Sequence, residues 1–474
     1  MSRTEVGASS ASLWAIIGYG TAQVLRLLGN LILARLLLPD AFGMMALLSI
    51  LMQGLTMFSD VGIGASIIRS ERVDDPNFIN TAWTIQVIRG IGLWLGACLL
   101  AIPFAQFYDE PAFNLLVPVL GLSALFAGLN STAIFVENRA LRLKRVIFLE
   151  LSSHFCSLVV MVVWAYHVPS VWALVGGGVF AAVLKCGLSH LIFPSAKNRF
   201  DWNPVVAREI IGFGKWIILS SALTFTSLQI DRLVVGKLVS LKTLGVYHIG
   251  WMWAQVPALL FQVWSERVFF PAAARRMRSS ASASLDDIVN FRRKILISCT
   301  PLLAGLIVGI SEFIDFFYLP IYSAAGSIAM ILLVGVWIKI LGQMNSAVLL
   351  AAGQPKWLAF GNALTVLVFL LLVFPFFKVW GVAGIAIAVT CAQFGYYLPC
   401  AVGATKVGYG NFLGDIQLTL FVGGFWIAFD QLAIQTEQRI GSGILELLTI
   451  FGIPGLIGAG IAVYFWIRTN RAQG

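Results

Sequence analysis

The sequence predicts an all-α polytopic membrane protein of about 14 transmembrane helices. They form two six-helix bundles related by a parallel repeat around a central cavity, with two extra helices at the C-terminal end. Three observations predict this. The 474 residues are 59% hydrophobic and only 11% charged, with a mean hydropathy of +0.88. A bilayer asks for that balance, because about 20 apolar residues are needed to cross it. The apolar runs are continuous, not alternating, so they read as helices rather than barrel strands. Finally, short motifs recur at an offset near 200 residues.

The apolar runs lie near 12–38, 43–66, 81–104, 112–134, 146–166, 171–193, 212–236, 243–265, 295–316, 325–350, 357–377, 381–403, 412–432 and 447–467. Met1 to Ser10 carries mixed charges and leads directly into a full-length run, so no cleavable signal is expected. With the N-terminus inside, the connections near 67–80, 135–145, 194–211, 266–294, 351–356 and 404–411 are cytoplasmic, as are both termini. These hold about 21 Lys and Arg against about 4 in the outer connections, the asymmetry that orients membrane proteins. The net charge of +10 is therefore a topology signal, and no nucleic-acid partner is expected. The connection 266–294 is expected to be a long inner loop carrying a short interfacial helix. All six cysteines fall inside apolar runs and read as small buried hydrophobes, not a disulfide framework.

Arg35 is followed eight residues later by Gly43, and Lys237 by Gly245, an offset of 202. Trp172 to Gly176 opens one run and Trp380 to Gly384 another, an offset of 208. A repeat of six spans keeps both halves in one orientation, with the symmetry axis along the membrane normal. The expected division is 1–200, 201–405 and 406–474. A parallel pair of bundles binds its substrate in the cleft between them and exposes it alternately by rocking.

The first run carries Arg26 near its middle, roughly 18 to 21 Å from either end. Gln23, Arg26 and Asn30 share one helix face. Arg89, Lys185 and Lys339 are also deep, and each such charge costs about 2.5 to 3.5 kcal/mol or more to insert. Four of them are expected to face protein or water, in a cavity that takes an anion. Arg26, Asn30, Arg89, Lys185, Lys339 and Gln343 are the candidate substrate-binding residues. Ser220, Thr224, Ser227 and Asp231 form a second polar stripe, whose plain alternative is helix–helix hydrogen bonding. Arg35 and Lys215 lie where they can snorkel. Arg232 beside Asp231 suits an internal ion pair as well as a substrate contact. Asp60 and Asp231 are candidates for coupling to protons or sodium, and Asp60 also reads as a helix-end acid. No cofactor and no catalytic group is expected: His154, His167, His190 and His248 lack metal-ligand spacing, and no Walker A motif is present.

Several stretches together carry a family resemblance. They are Ala34 to Leu36 with Pro39, Phe42 and Gly43; Asp60 to Ala65; Asn80 to Gly90; and the inner turn Ala352 to Lys356. With this order and spacing the chain resembles the polysaccharide-transporter branch of the multidrug/oligosaccharidyl-lipid/polysaccharide flippase superfamily, the Wzx-type flippases. The stretch Asn80 to Gly90 looks like the exopolysaccharide-type members. The resemblance implies a non-enzymatic flippase of the bacterial inner membrane. It would carry undecaprenyl-diphosphate-linked oligosaccharide from cytoplasm to periplasm, beside polymerases and glycosyltransferases of the same pathway. Two alternatives stand next to it. A cation-coupled multidrug exporter of the same superfamily would want buried acids without buried cations. A membrane oligosaccharide polymerase or ligase would want a large outer loop, whereas most outer connections here are under about 15 residues.

Overall fold

The structure is a computed structural model. It describes residues 3–440 apart from 60–61, 71, 74, 194–197 and 279–284, together with 452–458, 460–461 and 464. The described chain is almost wholly α-helical, and no β-strand occurs among the described residues. It packs as two compact units, Met1–Gly245 and Val246–Gly474.

The first unit holds α1 (Arg3–Leu36), α2 (Pro39–Phe58), α3 (Ile63–Arg69), α4 (Pro76–Tyr108), α5 (Phe113–Leu129), α6 (Ala133–Arg139), α7 (Leu143–His167), α8 (Val171–Ile192) and α9 (Pro204–Leu238), and ends within α10 (Leu241–Trp264). Local chemistry sets its helix starts. Proline opens α2, α4 and α9, where its missing N–H removes no helical bond. The Asp75 carboxylate accepts from the Asn77 amide at 2.9 Å, and the Asn203 side chain accepts from Val205 and Val206. The extended segment before α9 is pinned to α4. The backbone amides of Arg199, Asp201 and Asn203 donate to the side chains of Asn80, Thr84 and Thr81.

The second unit continues from α10 through a π-helical turn, Ser265–Phe269, into α11 (Phe270–Arg278). It then holds α12 (Leu285–Phe317), α13 (Ala324–Ala351), α14 (Lys356–Lys406) and α15 (Phe412–Ile440). A straight 51-residue α14 would be about 77 Å long, more than twice the hydrocarbon core. It is instead a helical hairpin. Gly381 has φ 58 and ψ −133, and Gly384 lies against the Phe376 carbonyl. Gly395 meets Leu364 and Thr365, and Gly403 meets Trp357, so the two arms run antiparallel. The expected runs 357–377 and 381–403 are these arms.

Eight helices among the described residues are long and apolar enough to cross a membrane, or nine with the bent pair α5–α6, which turns by 59°. Two boundaries differ from expectation. The run 43–66 breaks after Phe58, and Gly62, at φ 66, opens the separate helix α3. The connection 266–294 carries a short helix, α11, as expected, but α12 already begins at Leu285, ahead of the expected run 295–316. The expected runs 12–38, 212–236 and 243–265 fall in α1, α9 and α10, which are not among the eight helices, and the last run, 447–467, lies largely outside the described residues, so the full expected number of spans is not reached.

The first sequence echo has a physical counterpart. A Cβ on Gly43 would run into the Leu241 carbonyl, and one on Gly245 would run into the Pro39 carbonyl. Residues 39 and 43 thus meet 241 and 245 reciprocally, as two-fold-related positions do. Backbone on both sides leaves no flexible atom to yield. Gly245→Ala is therefore expected to destabilise by about 1 to 3 kcal/mol. Gly187→Ala, with open space around it, is expected to be neutral or mildly stabilising. Thermal unfolding followed by tryptophan fluorescence checks the difference, and equal midpoints would contradict it.

Candidate functional site

Helices α1 and α7 set the site through their register. A Cβ on Gly18 would meet Ile147, and one on Gly29 would meet Leu158. Both pairs are 129 residues apart, so the two helices run parallel and Arg26 lies level with residue 155. Its helical neighbourhood on α7 is Glu150 and His154. Helix α8 runs antiparallel on the other side, where the Ser157 hydroxyl donates to the Gly177 carbonyl at 2.8 Å. One end of that contact brings Lys185 to Glu150 at 3.4 Å. Arg26, Lys185 and Glu150 all act electrostatically on His154.

This cluster is open. Arg26 and His154 are exposed, and the Lys185 and Glu150 side chains are 33% and 47% exposed. Charges accessible at membrane depth face water or protein, not lipid. Two cations against one carboxylate leave a net positive charge. Gln23 and Asn30 lie half-buried on the same helix as Arg26.

A second polar group joins α2, α4 and α9. Arg89 donates from Nε to the Ser59 hydroxyl at 3.1 Å and from Nη2 to the Thr56 carbonyl at 2.8 Å. Thr56 lies in the last turn of α2, so the guanidinium satisfies one of the carbonyls that a helix end leaves unbonded. The Gln229 amide donates to Gln53 at 2.5 Å, and the Arg232 guanidinium donates to Gln229. The Asp231 carboxylate accepts from the Arg232 backbone amide at 2.8 Å. Gln53 and Thr56 also line a cavity of about 300 Å³, with Met52 and Met57 of α2 and Ser123, Ala124 and Ala127 of α5.

In the second unit, Lys339 donates to Gln255 of α10 at 3.2 Å. The Gln343 side-chain oxygen is buried with no hydrogen-bond partner among the described residues. Where the first turns of α12 and α15 meet, Arg292 is fully buried and pairs with Asp415 at 2.5 Å, and Tyr397 donates to the same carboxylate at 2.8 Å. Burial pushes the nearby Tyr409 phenol up, Arg292 opposes this and Asp415 adds to it.

The structure thus brings Arg26 and Lys185 into one cluster, and Arg89, Asp231 and Arg232 into helix contacts of a second group. Lys339 and Gln343 are both on α13 of the second unit. Asp60 lies outside the described residues, as do the side chains of Lys215, Ser220, Thr224 and Ser227. Lys185 and Lys339, which have no partner visible in sequence, gain Glu150 and Gln255. Arg292, expected in an inner loop, is instead at the centre of a buried ion pair. Sequence reasoning missed Glu150 and Gln53. It also set His154 aside for want of a metal pattern. The signal was an acid four residues before a histidine inside an apolar run, which places both on one helix face.

Long apolar helices, eight of them among the described residues suited to crossing a membrane, define a multi-pass membrane protein. Residues 32–324 match the family described as polysaccharide biosynthesis protein, and the chain belongs to that family. It is similar to the teichuronic acid biosynthesis protein TuaB of Bacillus subtilis (strain 168), 22% identical over 301 residues, covering 62% of this chain and 61% of TuaB. It is equally similar to the lipopolysaccharide biosynthesis protein WzxC of Escherichia coli (strain K12), 22% identical over 308 residues, covering 63% of this chain and 59% of WzxC. The chain thus spans about three fifths of the length of these curated relatives. Among solved structures it is similar to the lipid II flippase MurJ in an inward closed conformation. The TM-score is 0.68 at 13% identity, over 97% of this chain and 99% of that one. A MATE family multidrug resistance transporter of the MOP superfamily, in an inward-facing conformation, gives a TM-score of 0.56 at 13% identity, over 86% and 98%. At such identities the likeness shows the fold.

Proposed function

We propose that this chain is a flippase of the bacterial inner membrane. It moves an oligosaccharide carried on undecaprenyl diphosphate from the cytoplasmic to the periplasmic leaflet, by alternating access, for exopolysaccharide or related glycan biosynthesis. The observation that carries this is the net positive cluster of Arg26 and Lys185, open at membrane depth. A diphosphate must leave water to cross, and cations in a partly dry cavity offset that loss. Family membership and the transporter fold support the same reading. The moving bodies of this proposal are the repeated halves 1–200 and 201–405, with 406–474 outside the repeat and both termini cytoplasmic. Arg89, Lys339 and Gln343 are then further substrate contacts, and Asp60 and Asp231 the groups that couple transport to protons or sodium. Its partners are polymerases and glycosyltransferases of the same pathway. A multidrug exporter reading of the same fold is less well served, since an organic cation would be repelled by this cluster.

Reconstituted vesicles test it. An undecaprenyl-diphosphate-linked chitobiose placed in the inner leaflet should become accessible to an external lectin when the protein is present. A chitobiose lipid joined through an uncharged ether should not. Equal movement of both, or of neither, would contradict the proposal.

A further inference from the structure

We infer that His154 is the proton-binding member of the cluster it forms with Arg26, Glu150 and Lys185, and that it takes up a proton when an anion occupies the two cations. This rests on the diphosphate reading of Arg26 and Lys185 and adds to it a residue that links substrate binding to pH. The geometry is that of three helices. The parallel register of α1 and α7 sets Arg26 level with His154, and Glu150 lies one turn away on the same face of α7. Lys185 of α8 reaches Glu150 at 3.4 Å. His154 is exposed at the surface of α7, so its imidazole is not sealed within the fold.

The other charged groups near α7 are engaged elsewhere. Helix α6 packs at its inner end, where Glu137 pairs with Arg142 and Arg139 donates to the carbonyls of Ile67 and Ser70. Lys144 lies over the Trp14 ring. Arg145 is more than two turns below His154 along α7, and His190 of α8 bonds the Leu129 carbonyl. The charge that His154 senses is therefore set chiefly by Arg26, Lys185 and Glu150.

The sign follows from Coulomb's law. With the cluster empty, two cations against one carboxylate oppose a third positive charge on the imidazole. A dianion on Arg26 and Lys185 reverses the local charge and favours the imidazolium. Nothing else changes hands: one proton passes from water to a ring nitrogen and returns to water when the anion leaves. Linkage makes the effect reciprocal, so lower pH must tighten anion binding by the same factor.

Methanedisulfonate is a suitable probe, since it has the shape of a diphosphate and its charge does not change near the ordinary histidine value of about 6.5. Its binding to the purified full chain in nanodiscs should tighten about five-fold or more as pH falls from about 8 to about 5.5. His154→Gln should bind with little dependence on pH. As a second measurement, the triple variant His167→Gln, His190→Gln, His248→Gln leaves His154 as the one labelled histidine. Its carbon-13 signal at about pH 7 should move toward the imidazolium position on adding the probe. An unchanged pH dependence in His154→Gln, a flat wild-type profile, or an unmoved His154 signal at saturating probe would overturn the inference and leave the diphosphate reading standing. No binding by the wild-type chain at either pH would overturn both.

Discussion

Arg26→Ala is expected to abolish export of the glycan while the protein still inserts and accumulates. Arg26 is exposed and lies near the middle of the expected run 12–38. Removing it eases insertion, because an arginine at mid-helix is costly in lipid. Transport, on the proposed function, loses a charge-assisted fork on the diphosphate. Two such hydrogen bonds at about 1.5 to 3 kcal/mol each correspond to a loss on the order of 100-fold or more. Arg26→Lys keeps the charge but not the planar fork, so partial function, reduced by about ten-fold, is expected. The pair is read by complementation of a flippase-deficient strain, with membrane protein levels measured in parallel. Normal export by Arg26→Ala at normal levels would remove this residue from the site. Equal loss in both variants would point to shape at this position rather than charge.

The parts of the fold legible in sequence are those that the bilayer itself dictates. Runs such as 81–104 and 325–350 had to be helices, and α4 and α13 contain them. The hairpin of α14 was also legible, since Trp380 to Gly384 marks a turn and Gly381 takes a positive φ there. Gly43 and Gly245, which occupy matching positions in the sequence echo, lie against each other's helix. The break between α2 and α3 was not legible. Apolar residues continue through it, and a single left-handed glycine makes the difference. Partnerships across helices were hidden for another reason. Glu150 and Lys185 are 35 residues apart, and what brings them together is the register of α7 on α8, set by small residues such as Gly176 and Gly177. Charge depth can be read from one helix, but charge pairing needs two.

The same limit concealed Arg292 and Asp415, which are 123 residues apart and carry the second large expectation, one of stability rather than transport. Arg292 is 0% and Asp415 3% exposed, and the Tyr397 hydroxyl completes the carboxylate's bonding. Asp415→Ala leaves a guanidinium buried without its counter-charge, which costs about 3 to 5 kcal/mol. Poor accumulation and a markedly lower unfolding midpoint are expected. Arg292→Met should do less harm, because the carboxylate left behind still accepts from the Tyr397 hydroxyl. Replacing both groups together, Arg292→Met with Asp415→Leu, should recover most of the lost stability, since apolar packing of similar volume often matches a buried ion pair. The comparison is a double-mutant cycle read by thermal unfolding in detergent, where the coupling between the two positions should be well above 1 kcal/mol. If Asp415→Ala unfolded at the wild-type temperature, the pair would not be holding α12 against α15. If the double variant were no better than Asp415→Ala, the requirement would lie in the ion pair's geometry rather than in the relief of an unpaired buried charge.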